Sequence, residues 1–394
     1  MYSLLSKNYL LIILLFFVYG CKQSDPLLAK IDETLILAAK QYNFLIKKTP
    51  KGRYPKTYYA NVDKFETSRS GWWCSGFYPG TLLYLNENKS SDYFNEEIKL
   101  VLSDLKREQF NKTTHDLGFM MYNSFGNANR LTPTIEYQEI LMNSAKSLAS
   151  RFNDSIGCIK SWDTNSEDFV VIIDNMMNLE LLFWASKYSK DSKYYNIAVK
   201  HANTTIKNHF RKDYSSYHVV NYNKNNTVKL KRTVQGYSDE SAWARGQAWG
   251  LYGFTVMYRE TKDEKYLEHA NGIANYVLNH PNMPVDLIPY WDYNAPYIPN
   301  ELRDSSAAAI LASALLELKN YVASELANKY NLAAKKIINS LITENYIAKE
   351  GTNGGFLLKH GVGHYPEKTE IDTPLSYGDY YFVEAMLRYK HNRI

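Results

Sequence analysis

The chain has 394 residues, of which 45% are apolar and 22% charged, a balance that is typical of a folded globular protein and excludes disordered, collagenous and disulfide-framework chains. The net charge of +5 comes without any block of Lys or Arg, so the composition gives no support to nucleic-acid binding. Aromatic residues are abundant, with 34 Tyr, 16 Phe and 7 Trp, and they suit either a large aromatic core or a site for flat ligand faces such as sugars.

The N-terminal segment has the order of a secretion signal. Lys7 precedes an apolar run over 9–18, which is shorter than the ~20 residues that a membrane-spanning helix needs. The run ends in Val-Tyr-Gly-Cys, and a small residue before Cys21 is typical of a bacterial lipoprotein, in which that cysteine is lipidated and becomes the mature N-terminus. An ordinary secretory signal with an incidental cysteine is the alternative. We therefore predict a signal peptide over 1–20 and a single-domain mature chain over 21–394, lipid-anchored to the cell envelope and facing the periplasm or the exterior.

Helical periodicity dominates the rest of the chain. A first helix is predicted after Asp25-Pro26, where proline suits the first turn and apolar residues then recur at three- and four-residue spacing. Only 215–237 alternates like a short β-hairpin. Eleven further helices are predicted near 74–88, 93–109, 116–126, 134–151, 174–188, 192–209, 241–259, 263–280, 304–319, 323–340 and 376–390.

Two kinds of helix alternate along the chain. Six are apolar or small on nearly every face, as a buried helix is, and six are amphipathic, as a helix with one face in water is. The alternation predicts two concentric rings, which is an all-α fold of the (α/α)6 barrel type. An open α-solenoid is the competing architecture, but solenoid repeats hold a steady period. The buried helices begin at the uneven positions 76, 117, 174, 241, 304 and 377, which favours a barrel with a pocket built from loops at one end.

Two aspartates stand at the starts of buried helices. Asp116 precedes Leu-Gly-Phe-Met-Met-Tyr, and Asp174 follows a strand-like run of Val and Ile. Helix capping explains either aspartate taken alone. Because matching ends of a ring converge on one mouth, the two together predict paired carboxylates in an aromatic pocket. Such a pair suits acid–base chemistry on sugars, since one carboxyl keeps a proton to donate while the other stays ionised.

An arginine lies between two tryptophans in the helix predicted over 241–259. Trp249 is four residues after Arg245 and therefore on the same helix face, and Trp243 is two residues before it. A fixed arginine beside flat rings would clamp a carboxylate next to a sugar plane. The alternative is a structural ion pair of Arg245 with Asp239 or Glu240.

An aromatic run precedes another of the buried helices. Gly-Trp-Trp-Cys-Ser-Gly-Phe-Tyr-Pro-Gly at 71–80 places Trp73 at the helix start, and the glycines permit close approach. Sugar stacking and core packing are both open for Trp72 and Trp73. Cys74 in this run and Cys158 have neither the number nor the spacing of a disulfide framework or a metal site.

In these segments the chain resembles glycoside hydrolase family 88, the unsaturated glucuronyl hydrolases, across essentially the whole mature sequence. Ala-Arg-Gly-Gln-Ala-Trp-Gly and Ile-Asp-Asn-Met-Met-Asn are specific in combination. The resemblance implies an (α/α)6 barrel and removal of a 4,5-unsaturated uronic acid from the non-reducing end of lyase-generated oligosaccharides of the glycosaminoglycan type. The segments that carry it are Gly71–Gly80, His115–Asn127, Ile173–Ser186, Ser241–Phe254, Asp304–Leu318 and His360–Tyr381.

The resemblance also implies roles for individual residues. Asp174 would be the general acid/base and Asp116 the second essential carboxylate. Gly351–Lys368 lies where the family contacts the reducing-side sugar, but the Ser and Lys pattern that some members use for sulfated sugars has no match here, so the sulfate preference stays open. The residues that match substrate-binding positions are His115, His218, Gln235, Arg245, Trp249, Trp243, Trp73 and Trp162.

The implied reaction is hydration of a vinyl ether, in which Asp174 protonates C4, water adds to C5 and the resulting hemiketal falls apart. We expect no metal and no cofactor, since no ligand cluster for either is visible. The expected binding partner is an unsaturated oligosaccharide, and we expect no nucleic-acid partner. Membrane contact is expected only through a lipid on Cys21, and the protein is expected to be a monomer or a weak homo-oligomer.

Two alternative functions remain. The unsaturated rhamnogalacturonyl hydrolases share the barrel and the hydration chemistry, although the segment from Arg245 to Trp249 favours the glucuronyl family. A non-catalytic helical lipoprotein that binds oligosaccharides would show the same anchor and aromatic content, but it has no reason to place Asp116 and Asp174 at one barrel mouth.

Overall fold

The computed structural model describes residues 25–89, 92–164 and 168–391. The signal peptide predicted over 1–20 and the lipidation site predicted at Cys21 lie outside these residues. All twelve predicted helical segments are helical. In chain order the α-helices are α1 (Pro26–Lys48), α2 (Phe77–Lys89), α3 (Asn95–Leu105), α4 (Asn127–Leu131), α5 (Ile135–Ala149), α6 (Leu179–Ser189), α7 (Ser192–His209), α8 (Ala244–Thr261), α9 (Glu264–Asn279), α10 (Ser305–Leu318), α11 (Ser324–Leu341) and α12 (Ser376–His391).

Two of these helices are extended at their N-terminal ends by other helical forms. A π-helix over Gly118–Gly126 runs into α4, and a 3-10 segment over Ile173–Asn178 runs into α6. A Cβ at Gly118 would come within 2.4 Å of the backbone of Asn178, so glycine is required where these two segments meet. The shorter 3-10 turns are Ala60–Val62, Lys106–Phe110, Lys319–Tyr321 and Asn353–Gly355.

Six helices form a closed inner ring. In order around the ring, α2 contacts the π-helix, the π-helix contacts α6, and α8, α10 and α12 follow, with α12 packed against α2 again. The composition of α10 explains why such a helix lies in the inner ring. Most residues from Ser305 to Leu318 are small or apolar, and all of them are buried. The other six helices, of which α9 and α11 are clear amphipathic examples, lie outside the ring. This arrangement confirms the predicted (α/α)6 barrel.

Short antiparallel strands fill the connections that lead from an outer helix to the next inner one. The hairpin predicted in 215–237 is confirmed by β6 and β7, and the strand-like run of Val and Ile before Asp174 forms β5. The other six strands were not predicted. The missed strands are two to six residues long, too short for alternation to mark them. The strands are β1 (Tyr54–Tyr59), β2 (Lys64–Ser68), β3 (Phe152–Asn153), β4 (Cys158–Ile159), β5 (Phe169–Ile172), β6 (Val219–Tyr222), β7 (Val228–Arg232), β8 (Gly361–His364) and β9 (Thr369–Thr373). They pair as β1–β2, β3–β4, β5–β6–β7 and β8–β9.

The two ends of the barrel differ in chemistry. The inner helices all begin at one end, which we call the mouth, and the strands surround it. Towards the other end, the far end, Arg259, Arg388 and Glu317 form a buried ion cluster. Each arginine lies 3.0 Å from one oxygen of Glu317, whose side chain is 0% exposed. No helix in the described ranges is both long and apolar enough to cross a membrane.

Candidate active site

A cleft of about 570 Å³ opens at the mouth between the strand-bearing connections. Four of the residues predicted for the substrate site line it, namely Trp73, Asp116, Trp162 and Gln235. The other predicted residues are buried, and they lie behind this lining, where contacts link Asp174 to most of them. The complete lining is Lys56, Gly71, Trp72, Trp73, Thr114, Asp116, Trp162, Val234, Gln235, Gly363, His364, Glu367, Thr369, Glu370 and Tyr377.

Asp116 is held by its sequence neighbours just before the π-helix. Its Oδ2 accepts a hydrogen bond of 2.6 Å from the hydroxyl of Thr114, and its Oδ1 lies 3.2 Å from Nε2 of His115. Burial lowers the pKa of His115, although the charge of Asp116 opposes the shift, so the imidazole is neutral at pH 7. Asp116 therefore presents a fixed carboxylate to the cleft with no cationic partner beside it in these contacts.

Asp174 is the second residue of the 3-10 segment that follows β5. The residue is 8% exposed, and Oδ2 has no hydrogen-bond partner. Burial raises the pKa of this carboxyl to about 7, with the charge of Arg245 lowering it and that of Asp116 raising it. Desolvation therefore outweighs the opposing pull of the helix start, and at neutral pH both the acid and the carboxylate are well populated.

His218 faces the free oxygen of Asp174 as a neutral donor. Its Nδ1 accepts backbone N–H bonds from Val234 at 3.2 Å and Gln235 at 3.3 Å, so the single ring proton belongs on Nε2. Nε2 lies 3.8 Å from Oδ2 of Asp174. Burial and the charge of Arg245 hold the pKa of His218 well below its usual range. The imidazole of His218 is thus neutral, and its Nε2–H points towards the carboxyl of Asp174.

Arg245 is engaged by other parts of the barrel. Its guanidinium is bound to Asp304 at 2.9 Å and donates to the backbone oxygens of Val362 at 2.5 Å and Gly363 at 2.6 Å. The residue is 1% exposed, and its five N–H donors leave two beyond these three bonds. Clamping of a substrate carboxylate stays a prediction, with those two donors and the positive charge as its means.

The alternative partners proposed for Arg245 are wrong. Asp239 and Glu240 are bound by a different arginine, since Arg211 donates to the backbone oxygen of Asp239 at 3.0 Å and lies 3.4 Å from Glu240. The ion pair of Arg245 is instead with Asp304, which caps the next inner helix, α10. The pair therefore connects two helices of the ring rather than two parts of one turn.

Aromatic rings close the inner part of the cleft. Trp73 lies 4.8 Å from Tyr377 and 5.5 Å from Phe119, measured between ring centroids, so it both packs in the core and lines the cleft. Below it, Phe119 lies 5.0 Å from Trp249, which is 0% exposed. The indole N–H of Trp249 favours the ionised form of Asp174 without reaching ordinary hydrogen-bond geometry. We call this packed layer the aromatic floor.

The two remaining tryptophans of the predicted site both lie near His218. Trp162 lines the cleft with its ring edge-on to the imidazole at 6.4 Å. Trp243 is 3% exposed, with its ring 4.6 Å from that of His218 and the Arg245 guanidinium 4.5 Å above it. Trp243 thus stacks on the arginine in this structure, and its predicted contact with a sugar stays a prediction.

Three site residues were missed by sequence reasoning. Asp304 is 0% exposed and resembles Asp116 and Asp174 in preceding an inner helix, a signal that could have identified it. Tyr377 lies under Arg245, with 5.2 Å from the guanidinium to the ring centroid. Glu370 lines the cleft from a strand that carried no sequence signal. Among residues 25–89, 92–164 and 168–391, no group of His, Cys, Asp and Glu could hold a metal ion.

Comparison with known proteins identifies the family. Residues 40–392 match the sequence model described as Glycosyl Hydrolase Family 88. The chain belongs to this family. A relative from Formosa agariphila, named unsaturated glucuronyl hydrolase, is 46% identical over 329 residues, which cover 82% of this chain and 80% of the relative.

Solved structures agree with this assignment. An unsaturated glucuronyl hydrolase described as specific for heparin superposes with a TM-score of 0.89 at 44% identity, covering 92% of this chain and 98% of that one. An aspartate-to-asparagine variant of the Streptococcus agalactiae unsaturated glucuronyl hydrolase, complexed with dGlcA-GalNAc6S, superposes with a TM-score of 0.78 at 28% identity, covering 93% of each chain.

Proposed function

We propose that this family 88 hydrolase is an unsaturated glucuronyl hydrolase, which removes a 4,5-unsaturated uronic acid from the non-reducing end of glycosaminoglycan-type oligosaccharides left by polysaccharide lyases. The observation that carries the proposal is Asp174, a buried carboxyl with one free oxygen and a pKa raised to about 7, next to a cleft lined by Asp116. The names of the relatives support the same substrate class.

The first chemical step is protonation of a carbon atom. In the substrate the C4=C5 double bond is conjugated with the ring oxygen, so a proton added at C4 leaves a cation at C5 that the ring oxygen stabilises. Asp174 in its acid form donates this proton, and the π electrons form the new C4–H bond. The carboxylate of Asp116, fixed by Thr114, supplies negative charge where the cation develops.

Water then completes the reaction. Its oxygen bonds to C5, and its proton passes to the Asp174 carboxylate, which restores the acid. The hemiketal opens as C5 becomes a ketone and its bond to the ring oxygen breaks, which leaves a hemiacetal at C1 that releases the neighbouring sugar with its hydroxyl group. One water is consumed and no protein group attacks C1, so the carboxylate spacing rule for retaining and inverting glycosidases does not apply.

Loss of the ultraviolet absorbance of an unsaturated chondroitin disaccharide tests this proposal. We expect the absorbance to decay with enzyme and the unsaturated uronic acid to disappear from the product. A non-catalytic binding protein would leave the absorbance unchanged. A rhamnogalacturonyl hydrolase would act on the unsaturated rhamnogalacturonan disaccharide in preference, and either outcome would contradict the proposal.

The pH dependence of kcat/KM follows from Asp174. Because the acid form donates the proton and the pKa lies at about 7, the active fraction falls as the pH rises through 7. We expect kcat/KM to decrease nearly tenfold per pH unit above about pH 8. Steady-state rates from pH 5 to 9 measure this, with thermal unfolding at each pH to show that the enzyme stays folded. A rate that is constant or increases from pH 7 to 9 would contradict the assignment of Asp174 as the acid.

Replacement of Arg245 tests the predicted carboxylate clamp. Arg245→Lys removes the planar fork that holds Asp304 and two β8 oxygens, so we expect kcat/KM for the unsaturated disaccharide to fall at least 100-fold with folding retained. Arg211→Lys is the matched control, because Arg211 also forms an ion pair but lies outside the cleft lining. We expect it to change kcat/KM less than threefold. Near-wild-type efficiency of Arg245→Lys would show that neither the fork nor the substrate contact is needed.

We also propose that the protein is a lipoprotein anchored through Cys21. The support is the Val-Tyr-Gly-Cys sequence after an apolar run, together with the position of the first helix. Asp25 binds Tyr389 near the end of α12 and lies 2.8 Å from Lys335, so the chain enters the barrel near the far end. Four residues span at most about 14 Å, so a lipid on Cys21 would hold the barrel near its far end and leave the mouth facing away from the membrane.

Cys21→Ser is expected to move the protein from the membrane fraction to the soluble fraction, with catalytic activity unchanged. Stable anchoring takes more than one acyl chain, and the serine accepts none. Fractionation with and without detergent, followed by the absorbance assay, measures both properties, and Cys158→Ser is the matched control. Persistent, salt-resistant membrane association of Cys21→Ser would rule out the lipid anchor.

A further inference from the structure

Asp304 is the third aspartate that precedes an inner helix, and it lies at the start of α10. Like Asp174 it is buried, with 0% exposure, but the reaction described above gives it no role. Its Oδ1 accepts the backbone N–H of Ser306 at 3.0 Å and the hydroxyl of the same residue at 2.6 Å, which caps α10. The cap uses one carboxylate oxygen and leaves Oδ2 for a partner outside the helix.

That partner is the guanidinium of Arg245. Its Nη1 lies 2.9 Å from Oδ2 of Asp304, and the two residues bind the same part of β8. Arg245 donates to the backbone oxygens of Val362 and Gly363, while Oδ1 of Asp304 accepts the N–H of Val362 at 3.5 Å. The guanidinium, the carboxylate and the strand thus form one closed network. Because Gly363 lines the cleft, this network also fixes part of the cleft wall.

The uncharged groups that face Arg245 cannot balance its charge. The rings of Trp243 and Tyr377 lie 4.5 and 5.2 Å from the guanidinium, and burial raises the pKa of Tyr377 well above its usual range, so the phenol stays protonated. Burial also lowers the pKa values of His364 on β8 and of His218 beside β6, so both imidazoles are neutral at pH 7. The balance therefore depends on carboxylates.

Among the described residues, Asp304 is the one carboxylate within ion-pair distance of Arg245. Glu370 of β9 faces the same side of the cleft, but its charge is shared with Lys56, whose ammonium lies 3.9 Å away. Asp304 has no other cation in its contacts, since its remaining partners are the N–H and hydroxyl groups of the cap and of β8. The negative charge of Asp304 is thus directed at the guanidinium alone.

The proton on Asp174 depends on this balance. Burial raises the pKa of Asp174 to about 7, the charge of Arg245 is the next largest influence and lowers it, and the charge of Asp116 raises it. A guanidinium without a counter-charge would therefore favour the ionised form of Asp174 further. Since the ionised form has no proton for C4, the charge of Asp304 helps to keep the acid form available.

We propose that Asp304 is a positioning residue for the reaction, which fixes the Arg245 guanidinium for the uronic acid carboxylate and balances its charge at Asp174. Asp304 is not among the residues that line the cleft, so it acts through Arg245. The inference rests on the proposed hydrolase function and adds to it a residue that sets the charge of the site.

Asp304→Asn removes the charge and keeps the cap. Asparagine caps helices as well as aspartate does, and its amide oxygen can accept the N–H of Ser306. The guanidinium of Arg245 then lacks its counter-charge, so Asp174 ionises more easily. We expect the decline of kcat/KM with rising pH to begin about one pH unit lower than in wild type. A change in packing alone would lower kcat/KM at every pH and leave the decline in place.

A double variant removes both charges. Arg245→Gln combined with Asp304→Asn leaves neither member of the buried pair charged, so it tests the inference even if Asp304→Asn alone does not fold. Arg245→Gln alone is expected to move the decline of kcat/KM to higher pH, because Asp304 then acts on Asp174 unopposed. The double variant is expected to return the decline to near its wild-type position. Coinciding declines in Arg245→Gln and in the double variant would show that Asp304 has no influence.

Steady-state rates from pH 5 to 9 with the unsaturated chondroitin disaccharide compare these variants, with thermal unfolding at each pH to check folding. Asp191→Asn is the matched control, because Asp191 caps α7 outside the cleft lining, with Oδ1 2.9 Å from the backbone nitrogen of Lys193, and we expect no shift. A decline in Asp304→Asn that coincides with that of wild type would overturn the inference. Absence of hydrolysis by the wild-type enzyme would instead refute the proposed function, and the inference with it.

Discussion

Asp174→Asn is expected to lower turnover by about 10²–10⁴-fold, the range typical of a lost general acid, while the substrate still binds. The amide keeps the shape of the side chain and its place beside His218, but it has no proton to give to C4. The absorbance assay measures turnover, and protection of the variant against thermal unfolding by the unsaturated disaccharide measures binding. Turnover above about one tenth of wild type would remove Asp174 from the acid role.

Isotope incorporation separates this mechanism from ordinary glycoside hydrolysis. Wild-type turnover in heavy water is expected to place deuterium at C4 of the released uronic acid, because the proton from Asp174 exchanges with solvent. A saturated glucuronide of the same sugar has no C4=C5 bond and is expected to resist cleavage. Equal hydrolysis of the saturated compound would require a displacement mechanism at C1 instead.

The stability of Asp174→Asn provides a control, because we expect this variant to lose activity but to gain stability. The folded pKa of Asp174 is about 7 against an ordinary value of 3.8, so ionising it destabilises the fold progressively as the pH rises between these values. Asparagine removes this penalty. We therefore expect the unfolding temperature of Asp174→Asn, relative to wild type, to be higher at pH 8 than at pH 5. Lost activity together with raised stability would exclude misfolding as the cause.

The second large effect is on folding. Arg259→Ala is expected to destabilise the protein by about 3–5 kcal/mol, the range for removing one member of a buried ion pair. Arg259 lies 3.0 Å from Glu317 of α10 and is also bonded to Glu180 of α6, so the alanine leaves buried carboxylates with fewer partners. The midpoint of urea unfolding measures the loss.

A surface arginine and the pH dependence separate charge from packing. Arg107→Ala is the matched control, because its side chain is 65% exposed and pairs only with Asp104 three residues away, and we expect a change within about 0.5 kcal/mol. Burial opposes ionisation of Glu317, but Arg259 and Arg388 hold its pKa below the ordinary 4.5. The stabilisation is therefore lost at low pH, and the difference between Arg259→Ala and wild type is expected to shrink there. A loss as small as that of Arg107→Ala would contradict the role of the cluster.

The barrel was predictable from sequence because burial leaves a mark on each inner helix. Apart from Glu317, Ser305–Leu318 is small or apolar on every face, whereas an amphipathic surface helix has a polar face. The convergence of Asp116 and Asp174 on one mouth followed from the same ring, since both stand where an inner helix begins. The arrangement of the whole ring was thus predictable from one local property, the small or apolar composition of each of the six inner helices.

The contacts between site residues could not be predicted from the sequence, and the reason is physical. Arg245 and Asp304 are 59 residues apart and meet only because α8 and α10 are neighbours in the ring, whereas Asp239 and Glu240 are close in sequence and were the natural alternatives. Strand β8, Gly-Val-Gly-His, has no alternation that could mark it, and yet its backbone oxygens bind Arg245. Geometry of this kind depends on packing between elements that no local pattern records.

The aromatic floor determines the order in which products can leave. Trp73, Phe119 and Trp249 pack with centroid distances of 5.5 and 5.0 Å, and Phe119 and Trp249 are almost fully buried, so this layer separates the cleft from the barrel interior. A polymer therefore cannot thread through the site, and only a chain terminus can enter it. After cleavage we expect the neighbouring sugar, nearer the opening, to depart before the uronic acid product. Each encounter thus removes a single residue, and the shortened chain has to bind anew.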